Sequence, residues 1–333
     1  MKRILLLGTG GTIVSWRGES GLEPKNRIRD ILDAMSSSYP DCFFEAHDLM
    51  SLDSSNIQPE HWRLIAQKVF RSLDSFDGIV ITHGTDTMAY TASALAFMLR
   101  NLGKSVVLTG SQRPFGVPGS DAVPNLHTAI AAIRNGIIGV TVAFAHRVIN
   151  GTRAVKTSTM DFSAFESVNA PYMGVADASG FIVLSNRTEE YVPALPTRLD
   201  DELCPDVFLL KLTPGTKPEL LDAFPHLGYR GVVLEAFGTG GVHYEKRDLP
   251  EKIRRLVDSG VAVVLCSQCL YGRVDPSMYE VGQRMLKTGV ISARDMTTEA
   301  TVTKFMWALG KTDNPHRIAE ILHTPFAGEI DAK

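Results

Sequence analysis

At 333 residues, with 44% hydrophobic and 21% charged side chains, the chain is long enough for two domains of ordinary size and apolar enough to fold them. Its 34 Lys and Arg against 37 Asp and Glu leave a net charge of -3, which gives no overall field for nucleic acid or an anionic membrane. No apolar run approaches the roughly 18 residues of a membrane span, and the basic start MKRILLLG turns to glycine too soon for a secretion signal, so the cytoplasm is the expected compartment.

In chain order, residues 3–8 read as a buried strand, because Ile and Leu run together without polar alternation. Residues 26–35 read as a short helix with Ile28, Ile31 and Leu32 on one face, and 60–73 as a second with Trp62, Ile65, Val69 and Phe70 at helical spacing. DGIVIT at 77–82 is another buried strand, followed by the turn HGTD and a long helix through Leu95 and Leu99. Strands are expected at 105–109 and 138–144, with a helix over 121–133 between them. This alternation predicts an α/β fold whose larger N-terminal domain, 1–185, has a mostly parallel sheet covered by helices. A Pro-, Glu- and Asp-bearing stretch at 186–206 reads as a linker. VFLLKL, GVVLEA and VAVVLCS then supply strands for a smaller α/β domain over 207–333.

Three polar clusters fall where strands should stop: GTGGTI at 8–13, THGTDT at 82–87 and TGSQRP at 109–114. Open α/β sheets bind ligands beyond the carboxyl ends of their strands, so these turns are expected to converge on a pocket. The glycine spacing is wrong for a dinucleotide, since Ile13 stands at the sixth place of GxGxxG, and no Lys follows to make a phosphate loop. Thr12 and Thr85 offer hydroxyls, which need a base and a fixed orientation to act as nucleophiles. Asp86 could hold an ammonium, or cap the following helix. Lys156, among the small and hydroxylated residues of GTRAVKTST, could serve as a base if desolvation lowers its pKa, or could simply face solvent. Cys266 and Cys269 have CxxC spacing but no second pair to complete a zinc site; with Cys42 and Cys204 they read as plain thiols, with redox activity as the minor reading. Composition and periodicity reach a small-molecule α/β enzyme and stop there.

Gly10-Gly11-Thr12-Ile13 and Thr82-His83-Gly84-Thr85-Asp86-Thr87 resemble the two signature stretches of the bacterial-type L-asparaginases. The similarity continues through Asp53-Ser54-Ser55, Leu108-Thr109-Gly110-Ser111-Gln112, Gly151-Thr152-Arg153 to Lys156, and Met296 to Thr301. Each match is short; their order and spacing over essentially the whole chain carry the resemblance. Ser163-Ala164-Phe165-Glu166-Ser167, the missing signal peptide and the absence of an Asn in Gly238-Thr239-Gly240-Gly241 point to the cytoplasmic type I branch. The resemblance implies hydrolysis of L-asparagine to L-aspartate and ammonia, with no cofactor or metal, in a homodimer or homotetramer of two-domain subunits. It assigns the nucleophile to Thr12, the second catalytic set to Thr85, Asp86 and Lys156, and substrate binding to Ser54, Ser55, Thr85 and Asp86.

One departure stands in the loop after the first motif, where the family usually carries a Tyr after a Gly that helps activate the nucleophile. Here the corresponding stretch is Gly18-Glu19-Ser20-Gly21-Leu22-Glu23, which sets Leu22 at the Tyr position. Two other readings are the ammonia-releasing subunit of a tRNA-dependent amidotransferase and a non-catalytic asparagine or aspartate sensor. The first would bring an additional N-terminal domain, for which a first motif at residue 8 leaves no room; the second would not need both Thr12 and Lys156.

Overall fold

The apolar runs Lys2–Gly10, Gly78–Thr82, Ser105–Thr109 and Gly139–Phe144 lie side by side as parallel strands in the computed structural model. The structure describes residues 1–18, 21–24, 28–184, 195–277 and 280–331, excepting the side chains of 16–27 and of Val281. The chain divides into two compact units, Met1–Asp201 and Glu202–Lys333.

In the first unit the sheet has eight strands, in the order Gly180–Val183, Gly174–Asp177, Arg147–Asn150, Gly139–Phe144, Ser105–Thr109, Gly78–Thr82, Lys2–Gly10 and Cys42–Leu52. The last five are mutually parallel and the first three are added antiparallel. Ile4, Leu6, Val80 and Val107 pack with the helices Ile28–Ser38 and Ala122–Arg134 in one buried cluster. Leu5, Leu7, Ile79, Ile81, Val106 and Leu108, which alternate with them along the strands, are buried to 1% exposure or less. Covering both faces removes the polar alternation of a half-exposed strand, and that is why these segments read as continuous apolar runs.

Cys42–Leu52 is an 11-residue strand absent from the sequence reading. It sits at the sheet edge with Glu45, His47 and Asp48 in its span, so its pattern is too polar to resemble its buried neighbours. The helix expected through Leu99 ends at Met98, and Leu99–Arg100 turns into a short strand opposite Arg198–Leu199. Part of the span 186–206 therefore pairs with the first unit, while residues 185–194 lie outside the described ones.

The second unit has an all-parallel sheet in the order Val207–Lys211, Gly231–Ala236, Ala262–Ser267 and Ile291–Ser292. Its helix Leu249–Asp258 is capped by Asp248, whose carboxylate accepts from Glu251 N at 3.1 Å. Lys304, in the helix Thr298–Leu309, forms a fully buried ion pair with Glu329 at 2.6 Å and donates to the carbonyls of Leu322 and Thr324, both at 2.8 Å. Glu329 also accepts from Phe326 N and Ala327 N, so the chain after the last helix is fastened back onto the unit. No helix among the described residues is long and apolar enough to cross a membrane.

Candidate active site

The three polar clusters leave the first sheet at one level, because Gly8 pairs with Thr82 and Thr82 with Thr109 across adjacent parallel strands. Glycine lets them close on each other. A Cβ on Gly11 would strike the backbone of Gly84, and one on Gly84 would lie 2.6 Å from Ser54 Oγ and 3.2 Å from Gly11 Cα. Gly11 also holds φ at 83°, a left-handed conformation that favours residues without a side chain. The convergence expected from topology is therefore present as a close approach of the Gly11 and Gly84 backbones, with the Ser54 side chain against Gly84.

Thr12 opens the short 3-10 turn Thr12–Val14, in which Ile13 and Val14 are buried as anchors. Val14 N and Ser15 Oγ donate to Gly11 O at 3.2 and 2.9 Å, and Phe115 N donates to Ile13 O at 3.1 Å, which fixes the turn from both sides. The Thr12 hydroxyl itself is half-buried and has no hydrogen-bond partner among the described residues. Thr9, the other hydroxyl of this strand end, is buried and donates to Thr82 O at 2.8 Å, tying the first two turns together.

Thr85, Asp86 and Lys156 meet directly. Lys156 Nζ donates to Thr85 Oγ1 at 2.7 Å and to Asp86 Oδ1 at 2.6 Å. The Lys156 side chain is only 16% exposed, against 63% for Asp86, so the lysine does not simply face solvent. Asp86 does not cap the next helix: Thr87 holds that position, and its hydroxyl donates to Ser54 O at 2.7 Å. Ser54 is buried, and its Oγ accepts from Asp86 N at 3.3 Å. Ser55 turns the other way, with its amide donating to Asp53 Oδ1 at 2.8 Å and its hydroxyl donating to the same atom. Those two bonds hold the Asp53 carboxyl below its ordinary range.

Beneath these groups lies a relay absent from the sequence reading. His83 is fully buried, and its Nδ1 donates to Gly84 O at 2.7 Å, since a carbonyl can only accept. Nε2 therefore accepts, taking the hydroxyl of Thr91 at 2.9 Å, while Thr91 Oγ1 accepts from Trp62 Nε1 at 3.1 Å. Burial pushes the imidazole down to about 4, so it stays neutral at physiological pH and pins the peptide just before Thr85. The available signal was position: a histidine directly after the strand GIVIT, apolar but for its last residue, is carried into the interior.

Leu22 lies on the strand Gly21–Pro24, opposite Arg17, and its side chain falls outside the described ones. Cys266 is buried, which pushes its thiol up to about 12, away from redox reactivity, whereas Cys269 is exposed. Among the described residues no group of His, Cys, Asp and Glu is placed to hold a metal ion.

Two family models match the chain: "Asparaginase, N-terminal" over residues 3–189 and "Glutaminase/Asparaginase C-terminal domain" over 206–322. The chain belongs to the asparaginase family. Among its relatives in the family, an L-asparaginase of Thermococcus kodakarensis is 45% identical over 329 residues, covering 98% of this chain and 99% of that one. A subunit of the glutamyl-tRNA(Gln) amidotransferase of the same organism is 36% identical, covering 98% of this chain and 76% of that one. Two solved structures in the family are similar throughout. The thermostable L-asparaginase from Thermococcus kodakarensis has a TM-score of 0.93 at 44% identity, covering 99% of both chains. L-asparaginase I from Vibrio cholerae has a TM-score of 0.90 at 31% identity, again covering 99% of both. The resemblance read from the motifs thus holds over both units, and it is not confined to bacterial relatives.

Proposed function

We propose that this protein hydrolyses the side-chain amide of L-asparagine, giving L-aspartate and ammonia, with no cofactor. The observation that carries the reading is the Lys156–Thr85–Asp86 constellation set against the meeting point of Gly11, Gly84 and Ser54. In this reading Asp86 holds the α-ammonium through the oxygen that Lys156 leaves free, and Ser54 with neighbouring N–H groups holds the α-carboxylate. Ser55, turned toward Asp53, acts from beside that anchor. Two charged anchors on a short substrate fix the reach of its amide carbon to a hydroxyl. Thr12 attacks that carbon, its proton leaves with the departing ammonia, and an acyl-enzyme ester forms. Backbone N–H groups at the glycine turns stabilise the oxyanion. Water then attacks the ester beside Thr85 and Lys156, releasing aspartate and restoring the Thr12 hydroxyl.

The reading extends to the cytoplasm as compartment and to a homodimer or homotetramer, acting on a small molecule without nucleic acid. It also sets the division between the domains 1–185 and 207–333 within 186–206. That placement is supported by the unit boundary at Asp201 and Glu202 and by the family models ending at 189 and resuming at 206. The alternative, an amidotransferase component, draws support from relatives such as the Thermococcus kodakarensis amidotransferase chain above. Within that one organism, the L-asparaginase is the nearer of the two, at 45% against 36% identity. Purified protein incubated with L-asparagine, L-glutamine or D-asparagine, with ammonia measured, tests the proposal. Release from L-asparagine in the absence of tRNA and ATP supports hydrolysis; none from any of the three overturns it.

A further inference from the structure

Lys156 sits on a two-stranded ribbon, Ala154–Lys156 against Phe165–Ser167, and such ribbons need outside support to hold their shape. The base of this ribbon has it. Phe165 is buried with its ring 5.0 Å from that of Phe144, and Arg147 Nη1 donates to Glu166 Oε1 at 3.1 Å. The tip is different. Met160 is 85% exposed and Phe162 46% exposed, and the turn closes on itself through Thr157 N to Ala164 O at 2.8 Å. Among the described residues, one side chain from outside the ribbon bonds to this tip. Gln112 Nε2 donates to Thr159 O at 3.2 Å and to Asp161 O at 2.9 Å.

Gln112 is itself held firmly. Its backbone N donates to both Asp121 carboxylate oxygens, at 3.1 and 2.9 Å, and Arg113 N donates to Asp121 at 3.0 Å. Asn125, buried, donates to Asp121 at 3.1 Å and to Gly110 O at 3.0 Å, and accepts from Ala145 N at 2.9 Å. The third polar cluster is thus a rigid post at the end of the Ser105–Thr109 strand, and Gln112 is the latch that joins it to the Lys156 ribbon.

We propose that Gln112 is a positioning residue, which fixes the reach of Lys156 to Thr85 and Asp86 by latching the 158–163 tip to this post. The proposal rests on the hydrolytic reading above and deepens it. Gln112 touches no reacting atom in that reading; its effect passes through the placement of Lys156. Since a displacement of about 1 Å can cost up to about a hundredfold in rate, loss of one two-bond latch should lower kcat by about tenfold with KM within about twofold.

The test compares Gln112→Met, of similar length without a donor, with Gln112→Lys, whose ammonium can donate to both carbonyls. Three readouts are taken: kcat and KM for L-asparagine, Tm, and the rate of chymotrypsin cleavage at Phe162. Expected are a fallen kcat and faster cleavage for Gln112→Met at unchanged Tm, with both restored toward wild type in Gln112→Lys. Wild-type kcat in Gln112→Met, or equal losses in Met and Lys, would overturn the proposal. If wild-type protein released no ammonia from asparagine, the hydrolytic reading would fall by itself. Cleavage would then judge the latch alone, and an unchanged rate in Gln112→Met would end it.

Discussion

Thr12 and Thr85 both stand just beyond strand ends, each directly after a glycine of the touching pair Gly11 and Gly84, yet their hydroxyls differ. Thr85 accepts from Lys156 at 2.7 Å, whereas Thr12 has no partner among the described residues. An uncommitted hydroxyl on a fixed turn suits first attack, and one bonded to an amine suits handling of the second proton transfer. Thr12→Ala is therefore expected to lose at least about a thousandfold in kcat while still binding aspartate, because the charge anchors survive. Calorimetric titration with aspartate alongside the ammonia assay checks it; near-normal turnover from the folded variant would move the nucleophile elsewhere. Lys156→Met removes the donor to both Thr85 and Asp86 while keeping most of its volume, so kcat should fall by about a hundredfold with a smaller change in KM. A variant with wild-type kcat from pH 6 to 9 would leave Lys156 a structural part only.

At the scale of elements, the buried parallel strands were legible because burial on both faces leaves an unbroken apolar run. Ser105–Thr109 follows its expected bounds, and Gly78–Thr82 and Gly139–Phe144 each begin one residue late. The edge strand Cys42–Leu52 and the two-residue Ile291–Ser292 were not legible, the first for its exposed polar positions and the second for its length. Of the candidate site, Thr85, Asp86 and Lys156 were candidates by residue type and placement, their joint role came through motif resemblance, and their meeting needed the fold. Asn125 escaped because a polar side chain inside an apolar helix announces neither its burial nor its partner, Gln112 because the tip it bonds lies 47 and 49 residues further on, and His83 because its position announces burial but not its bond to Thr91. The Lys304–Glu329 pair was hidden for the same reason, being 25 residues apart with both side chains fully buried. Lys304→Met leaves Glu329 buried and short of its counter-charge, at a cost of about 3–5 kcal/mol. The expected fall in Tm is roughly 10 °C, with Lys304→Met/Glu329→Leu recovering part of it. A thermal scan of the two variants checks this, and a single variant within about 2 °C of wild type would show that the pair is not what fastens the C-terminal segment.

For the whole molecule, a histidine in the first unit and a glutamate in the second are shifted with opposite effect on stability. In the first, His83 is held near 4, below its ordinary 6.5. The folded state therefore binds fewer protons than the unfolded one, and this group's stability, full above 6.5, is lost as pH falls toward 4. In the second, half-buried Glu299 is raised to about 7 from 4.5, chiefly by desolvation and further by the nearby Glu235 carboxylate. Here the folded state binds more protons, so the contribution is full below 4.5 and is lost as pH rises through 7. Each slope is at most about 1.4 kcal/mol per pH unit, and between 4.5 and 6.5 they oppose each other. Glu299 should accordingly offset part of the acid-side slope of wild type in that window, to which His127 and His323, also lowered by burial, add in the same sense as His83. Glu299→Gln, which imitates the protonated carboxyl, removes one slope and leaves the other. Its stability should match wild type near pH 4.5 and exceed it near pH 8 by up to about 3 kcal/mol, a ceiling that the partial exposure of Glu299 lowers. Urea unfolding at pH 4.5, 6 and 8 measures the difference directly. A gap between variant and wild type that is constant with pH would mean that Glu299 titrates alike in the folded and unfolded chain, and the acid side of the profile would then belong to the histidines that burial lowers, His83 with His127 and His323.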